Sequence, residues 1–108
     1  MREFVEFLHE VFEAFGTITA RKMFGGYGIY HDGVMFALVE QDTLYLKADE
    51  TTRHHFELRG LPRFQYMKKG KVIFLSYYMA PEEIYDDREE AAVWATRSYE
   101  AAQKIKRR

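Results

Sequence analysis

The sequence contains no cysteine. That absence excludes disulfides, thiolate catalysis and cysteine-ligated zinc. No apolar run reaches the length of about 18 residues that a membrane-spanning helix needs. The opening Met1-Arg2-Glu3-Phe4-Val5-Glu6 interleaves acids with apolar residues and has no signal-type apolar core. A cytoplasmic location with no membrane partner is expected. The net charge is only -1, so global charge points to neither nucleic acid nor membrane. Prolines number two, Pro62 and Pro81.

What is present is apolar and aromatic. Hydrophobic residues make up 47% of the chain, with nine Phe and eight Tyr. This is too apolar for a disordered chain. The 108 residues suit one domain with one core, expected to span 1–108. Charge is partitioned along the chain. Residues 53–71 carry Arg53, Arg59, Arg63, Lys68, Lys69 and Lys71 against one acid, Glu57. Residues 82–90 carry Glu82, Glu83, Asp86, Asp87, Glu89 and Glu90 against Arg88 alone. Lys104 to Arg108 adds four bases. Such runs read first as solvated surface and second as a binding patch.

The apolar periods set the elements. Phe4, Phe7, Leu8, Val11, Phe12 and Phe15 fall on one face of a helix over 2–15, with Gly16 as its C-terminal cap. The period then shortens to two. Thr19 to His31 reads as one long strand interrupted by glycines, and His31-Asp32-Gly33 as a hairpin turn. Val34 to Val39 is a strand, with Val34, Phe36 and Leu38 on one face and Met35, Ala37 and Val39 on the other. Gln41-Asp42 turns the chain into a further strand, Leu44 to Lys47. Asp49 or Thr51 caps a short helix to about Arg59, closed by Gly60. Pro62 restores extended backbone, and Arg63–Lys68 and Lys71–Tyr78 form a hairpin about Lys69-Gly70. Phe64, Tyr66 and Phe74 alternate as core residues. Pro81 ends the sheet, and Asp87 caps a last helix whose stripe is Ala91, Ala92, Ala95, Tyr99 and Ala102, flanked by Trp94 and Ile105. The order α-βββ-α-ββ-α, with short turns inside each β block, predicts a two-layer α+β fold. Its antiparallel sheet would have about five strands.

The glycines of "RKMFGGYGIYHDG" raise the possibility of a phosphate loop. A P-loop needs GxxxxGK[ST] opening a helix, but Gly28 is followed by strand residues. A dinucleotide loop needs a third glycine where His31 stands. Gly25, Gly26 and Gly28 therefore read as a bulge or bend in the strand, while Gly33 belongs to the next turn. Such a bend could aim Arg21 and Lys22 together at an anion or partner; otherwise the two are bases guarding a sheet edge. On this reading Gly28 has a positive φ or lies against another backbone.

No catalytic set emerges. His54 and His55 are adjacent, so their side chains diverge too far for one metal. Asp32, Asp49, Glu50 and Asp86 sit at turns and caps, and Ser76 and Ser98 lack a nucleophile-elbow context. A non-enzymatic protein without a cofactor is expected. The basic tip Lys68-Lys69-Gly70-Lys71, together with the tail, offers a possible nucleic-acid contact. The glycine bend offers a possible small-ligand or nucleotide site.

The combination of Met23-Phe24-Gly25-Gly26, the Asp/Gly turn ending at Gly33, Leu44-Tyr45-Leu46-Lys47, Ser76-Tyr77-Tyr78 with Pro81, and a last helix bearing Trp94 resembles the N-terminal domain of the TfoX/Sxy family. The resemblance runs from about Arg2 to Ala102. It implies an antiparallel α+β domain and a role in regulating competence and DNA uptake. Longer members act with the cyclic-AMP receptor protein and carry a second, helical domain. This chain is expected to be a stand-alone version. The resemblance implies no catalytic residue, and its signature positions are explained first as fold determinants. A protein partner is expected, with the molecule a monomer or homodimer. The expected contact surface is Arg21, Lys22, Gly25, Gly26, Gly28, Lys68, Lys69 and Lys71.

Overall fold

A computed structural model describes residues 1–23 and 25–106. Phe24, Arg107 and Arg108, which belong to the signature and to the basic tail, lie outside the described residues. Helix α1 (Arg2–Val11) leads to strands β1 (Thr19–Met23), β2 (Gly26–His31), β3 (Val34–Glu40) and β4 (Thr43–Lys47). Helix α2 (Arg53–Glu57), strands β5 (Arg63–Lys68) and β6 (Lys71–Met79), a 3-10 turn (Glu82–Tyr85) and helix α3 (Arg88–Lys106) follow. All pairings are antiparallel, in the order β1-β2-β3-β4-β6-β5. The two-layer α+β fold is the one expected from the sequence.

The sheet has six strands because the glycine stretch does not bend one strand; it breaks it into a hairpin. Met23 pairs with Gly26 and Thr19 with Tyr30, so β1 and β2 run back along each other. Gly25 takes a φ of 78° in the connection, a conformation that costs a glycine little. The Asp32-Gly33, Gln41-Asp42 and Lys69-Gly70 turns also have positive φ at both central residues. That geometry matches the twist of two-residue hairpins.

A bulge re-sorts β3. Ile29 pairs with Ala37 and Tyr30 with Met35, leaving Phe36 as the extra residue. Phe36, Ala37 and Val39 consequently join the buried core, while Met35 and Leu38 share the opposite face. Strict alternation, with Phe36 beside Leu38, is thereby corrected.

The core lies between one face of the sheet and the helices. Val5, Leu8 and Val11 of α1 are buried, and Phe12 meets Phe36 edge-on with centroids 5.6 Å apart. Regular helix stops at Val11, and hydrogen-bonded turns carry the chain through Phe15 to Gly16. Helix α3 packs on β3 and β4. Its buried stripe centres on Ala91, Trp94, Ala95, Ser98, Ala101 and Ala102; Ala92 and Tyr99 are half-buried and Ile105 is exposed. Phe56 of α2 stacks on Tyr78 and meets Trp94, both at 5.1 Å. Burying each such ring contributes about 1.5–3 kcal/mol.

Polar residues start and tie the helices. The Thr51 and Thr52 amides each donate to Asp49 Oδ1 at 3.0 Å, which shapes the turn ahead of α2; the helix begins at Arg53 with Thr52, not Asp49 or Thr51, at its N-cap. Partial burial raises the Asp49 carboxyl, but the hydrogen bonds from Thr51 and Thr52 outweigh it and hold the group below its usual range. Asp87 accepts the Glu89 and Glu90 amides at 3.1 Å, capping α3. Arg59 grips Glu83 with its two terminal guanidinium nitrogens, joining the turn after α2 to the 3-10 turn.

The three aromatics expected in the core by alternation all lie outside the cluster beneath the helices. Phe64 is buried, but Tyr66 and Phe74 are exposed. The β5–β6 hairpin reaches past the helix layer, and Met67 and Val72 are exposed with them.

Candidate functional site

Helices cover one face of the sheet and leave the other open. Register identifies what the open face carries. Arg21 pairs with Gly28, Gly28 with Leu38, Leu38 with Tyr45, and Tyr45 with Met79. Cross-strand partners share a face, so these residues form one row across five strands. Thr19, Met23, Gly26 and Tyr30 lie on the same face by alternation, as do Lys47, Leu75 and Tyr77. In the last hairpin Phe64 meets Tyr45 at 4.9 Å and stacks toward Tyr66. Lys68 and Lys71 pair at its tip and follow Tyr66 and Ile73 onto this face.

The face is concave and mostly apolar. A cavity of about 360 Å³ is lined by Met23 of β1, Gly26 and Tyr27 of β2, Met35, Leu38, Val39 and Glu40 of β3, and Phe64, Tyr66, Leu75 and Tyr77 of β5 and β6. Two glycines shape its floor. A Cβ on Gly28 would come within 2.7 Å of Met23 Sδ and 3.1 Å of Met35 Sδ. A Cβ on Gly26 would overlap the Val39 carbonyl oxygen. Gly28 therefore lies beneath methionine side chains, not another backbone, and Gly25 rather than Gly28 has the positive φ.

Cations border the apolar floor. The Arg21 guanidinium lies 5.2 Å from the Tyr30 ring centre, and Lys47 Nζ lies 4.9 Å from that of Tyr77. Burial, and then the neighbouring Tyr30, pushes the Tyr77 hydroxyl up to about 12. Burial chiefly lowers the Lys47 amine; Arg63 adds to this and Asp49 opposes it. Burial and the Glu40 carboxylate raise the Tyr45 hydroxyl.

The other expected positions divide by layer. Lys22 alternates to the side away from Arg21, so the strand separates the two bases that a bend would have aimed together. Lys22 instead borders a shallow hollow with Met1, Met23, Gly25, Gly26 and Tyr27. Lys68, Lys69 and Lys71 are exposed at the hairpin tip. Among the signature residues, Leu44, Leu46 and Pro81 are buried. The Ser76 hydroxyl donates to the Ala48 carbonyl at 2.6 Å, tying β6 to the end of β4. Tyr78 donates to Glu57 at 3.0 Å, and Trp94 Nε1 donates to Glu90 at 3.0 Å. Met23, Tyr45, Lys47 and Tyr77 face the open side. His54 is exposed, whereas His55 is half-buried 6.4 Å from Trp94. Burial, then Arg97 and His54, lowers the His55 imidazole. Among the described residues no three His, Asp or Glu side chains converge as metal ligands would.

Sequence reasoning did not single out Met35, Leu38, Phe64, Tyr66 and Leu75 as groove residues. Alternation marks them as sharing a face with other apolar residues, but only the helix layer decides which face stays bare.

Comparison with known proteins adds the family relationship. A family model described as the TfoX N-terminal domain matches residues 10–102. The DNA transformation protein TfoX1 of Aliivibrio fischeri is 33% identical over 67 residues, 62% of this chain and 32% of that protein. Protein Sxy of Escherichia coli is 30% identical over 97 residues, 90% of this chain and 46% of that protein. The chain spans less than half the length of these curated relatives.

Proposed function

The chain belongs to the TfoX N-terminal domain family, and on that premise we propose that it is a non-enzymatic regulatory module that binds a protein partner through the open face of its sheet. The observation that carries this reading is the groove itself. Its apolar lining is drawn from five of the six strands, and among the described residues none of the lining comes from the helix layer. A concave, mostly apolar recess of this volume is the kind of surface at which proteins take a ligand or partner. The name of the Aliivibrio fischeri relative supports a setting in the control of DNA transformation. The cytoplasm suits such a role, and no helix among the described residues is long and apolar enough to cross a membrane.

Affinity capture from the source organism tests the reading, with wild type compared against Met35→Glu. Met35 is half-buried in the groove, so the charge disrupts docking more than folding. The expected result is a partner retained by wild type and lost by the variant, with altered transcripts when the gene is deleted. Identical captures together with unchanged transcripts would overturn it.

A further inference from the structure

Resting on that reading, we infer that the partner presents an amphipathic helix with an acidic polar face, laid across the strands of the open sheet. Three observations select this occupant.

The first is hydrogen bonding. The strands under the middle of the groove, β2, β3, β4 and β6, are each paired on both sides. A segment lying on this face finds no free backbone ladder. It must satisfy its own peptide groups, and a helix does so internally while an added strand cannot. Six strands spaced about 4.8 Å apart span about 24 Å, the length of a helix of about 16 residues.

The second is the lining. Met23 and Met35 lie over Gly28, and methionine adapts to irregular apolar side chains. Two of the rings on this face already carry a cation, Arg21 over Tyr30 and Lys47 over Tyr77. This favours a protein helix over single-stranded nucleic acid, which relies on free aromatic faces.

The third is charge. Arg21, Lys47, Lys68 and Lys71 share the open face, where Glu40 is the acid lining the groove. The chain's net charge is nevertheless -1. The acids concentrate in the helix layer, as Glu3, Glu6 and Glu10 of α1 and the run Glu82 to Glu90. An acidic helix is attracted to the sheet side and repelled from the helix side, which fixes where it docks.

The test uses the full chain and a fluorescein-labelled synthetic 16-residue peptide. The peptide carries leucines at helical i, i+3, i+4, i+7 and i+11 positions and glutamates on its other face. A lysine version and a scrambled glutamate version serve as controls. Anisotropy is expected to give at least tenfold tighter binding for the acidic helix than for either control. Amide shifts are expected at Gly28, Leu38 and Tyr77. Arg21→Glu and the pair Lys68→Glu/Lys71→Glu, all at exposed positions, should each weaken binding at least fivefold with unchanged circular dichroism. Equal binding of the lysine peptide, no saturable binding, shifts confined to other surfaces, or preferential binding of a dT 12-mer or of dodecanoate would overturn the inference. So would a dimer in sedimentation that is broken by Met35→Glu, which would make a second copy the occupant. A photo-crosslinking residue at Tyr66, on the groove rim, separates the two levels in source cells. A crosslink to an acidic helical segment supports the inference. A crosslink to a basic or extended segment overturns it and leaves the protein-binding reading standing. No crosslinked protein removes both.

Discussion

Gly26 has no room for a side chain because the neighbouring strand β3 brings the Val39 carbonyl against it. A methyl group there would meet the Val39 carbonyl oxygen, which is backbone and cannot rotate away. Gly26→Ala is expected to cost about 2–3 kcal/mol, as overpacking does, lowering the melting temperature by about 10 °C or more. Gly28→Ala meets methionine side chains instead and should cost less than about 1 kcal/mol, because they can swing aside. Thermal melts of both variants check the order, and equal losses would contradict the geometry. Titration gives a second prediction at this scale. Burial pushes the hydroxyls of Tyr77 and Tyr85 up to about 12, against about 10 when unfolded. Above pH 10 the unfolded chain therefore binds fewer protons than the folded one. The stability from these groups is fully present below about pH 10 and is lost as pH rises toward about 12. Melting temperatures recorded across that interval should fall less steeply for Tyr77→Phe than for wild type. At the residue scale the glycines were legible as unusual. What each one answers to was not, because the Val39 carbonyl and the Met23 and Met35 sulfurs are close in space but not all close in sequence.

At the scale of elements, local rules were strong where local chemistry acts. Asp87 starts α3 by accepting two backbone amides of its first turn, whereas Asp49 accepts the Thr51 and Thr52 amides in the turn ahead of α2. Asp87→Ala should cost about 1 kcal/mol, read as a fall of about 4–8 °C in melting temperature; an unchanged melt would deny the cap a role. The Asp32-Gly33 and Lys69-Gly70 hairpins were equally legible, since their turn types demand those residues. The strand expected from Thr19 to His31 was not. Apolar and β-forming residues continue across Gly25 and Gly26, so propensity alone does not mark the break. The bulge at Phe36 was invisible for a related reason. It exists because Ile29 and Tyr30 set a register against β3, and register belongs to a pair of strands, not to one. The β5–β6 hairpin shows the same limit. Phe64 and Tyr66 turn out to share the open face, while Phe74, paired with Gln65, lies exposed on the other.

At the scale of the whole molecule, two layers give the sheet one dry face and one open face. Leu46 lies fully within the core, while Leu38, on the next strand, lies on the groove side. Leu46→Ala should cost about 2–5 kcal/mol, because an enclosed cavity remains. Leu38→Ala should cost less than half that, because the space it leaves opens to the groove. Chemical denaturation of the two variants tests whether the faces differ as described, and matching losses would refute it. The separation of charge also belongs to this scale. Arg88 sits 3.8 Å from Glu10 and 3.7 Å from Glu13, joining the acidic helices to each other, while Arg21 and Lys47 lie across the sheet from them.

The sequence by itself determined the α+β class, the Asp32-Gly33, Gln41-Asp42 and Lys69-Gly70 turns, the Asp87 cap and the family. All of these are encoded in periods, turn residues and motifs spanning a few neighbours. Only the tertiary structure decided that the glycines form a hairpin, that Arg21 and Lys22 part to opposite sides, and that Met35, Leu38 and Leu75 line a groove. Each of those outcomes depends on which strand lies beside which, and on where the helices stop covering the sheet.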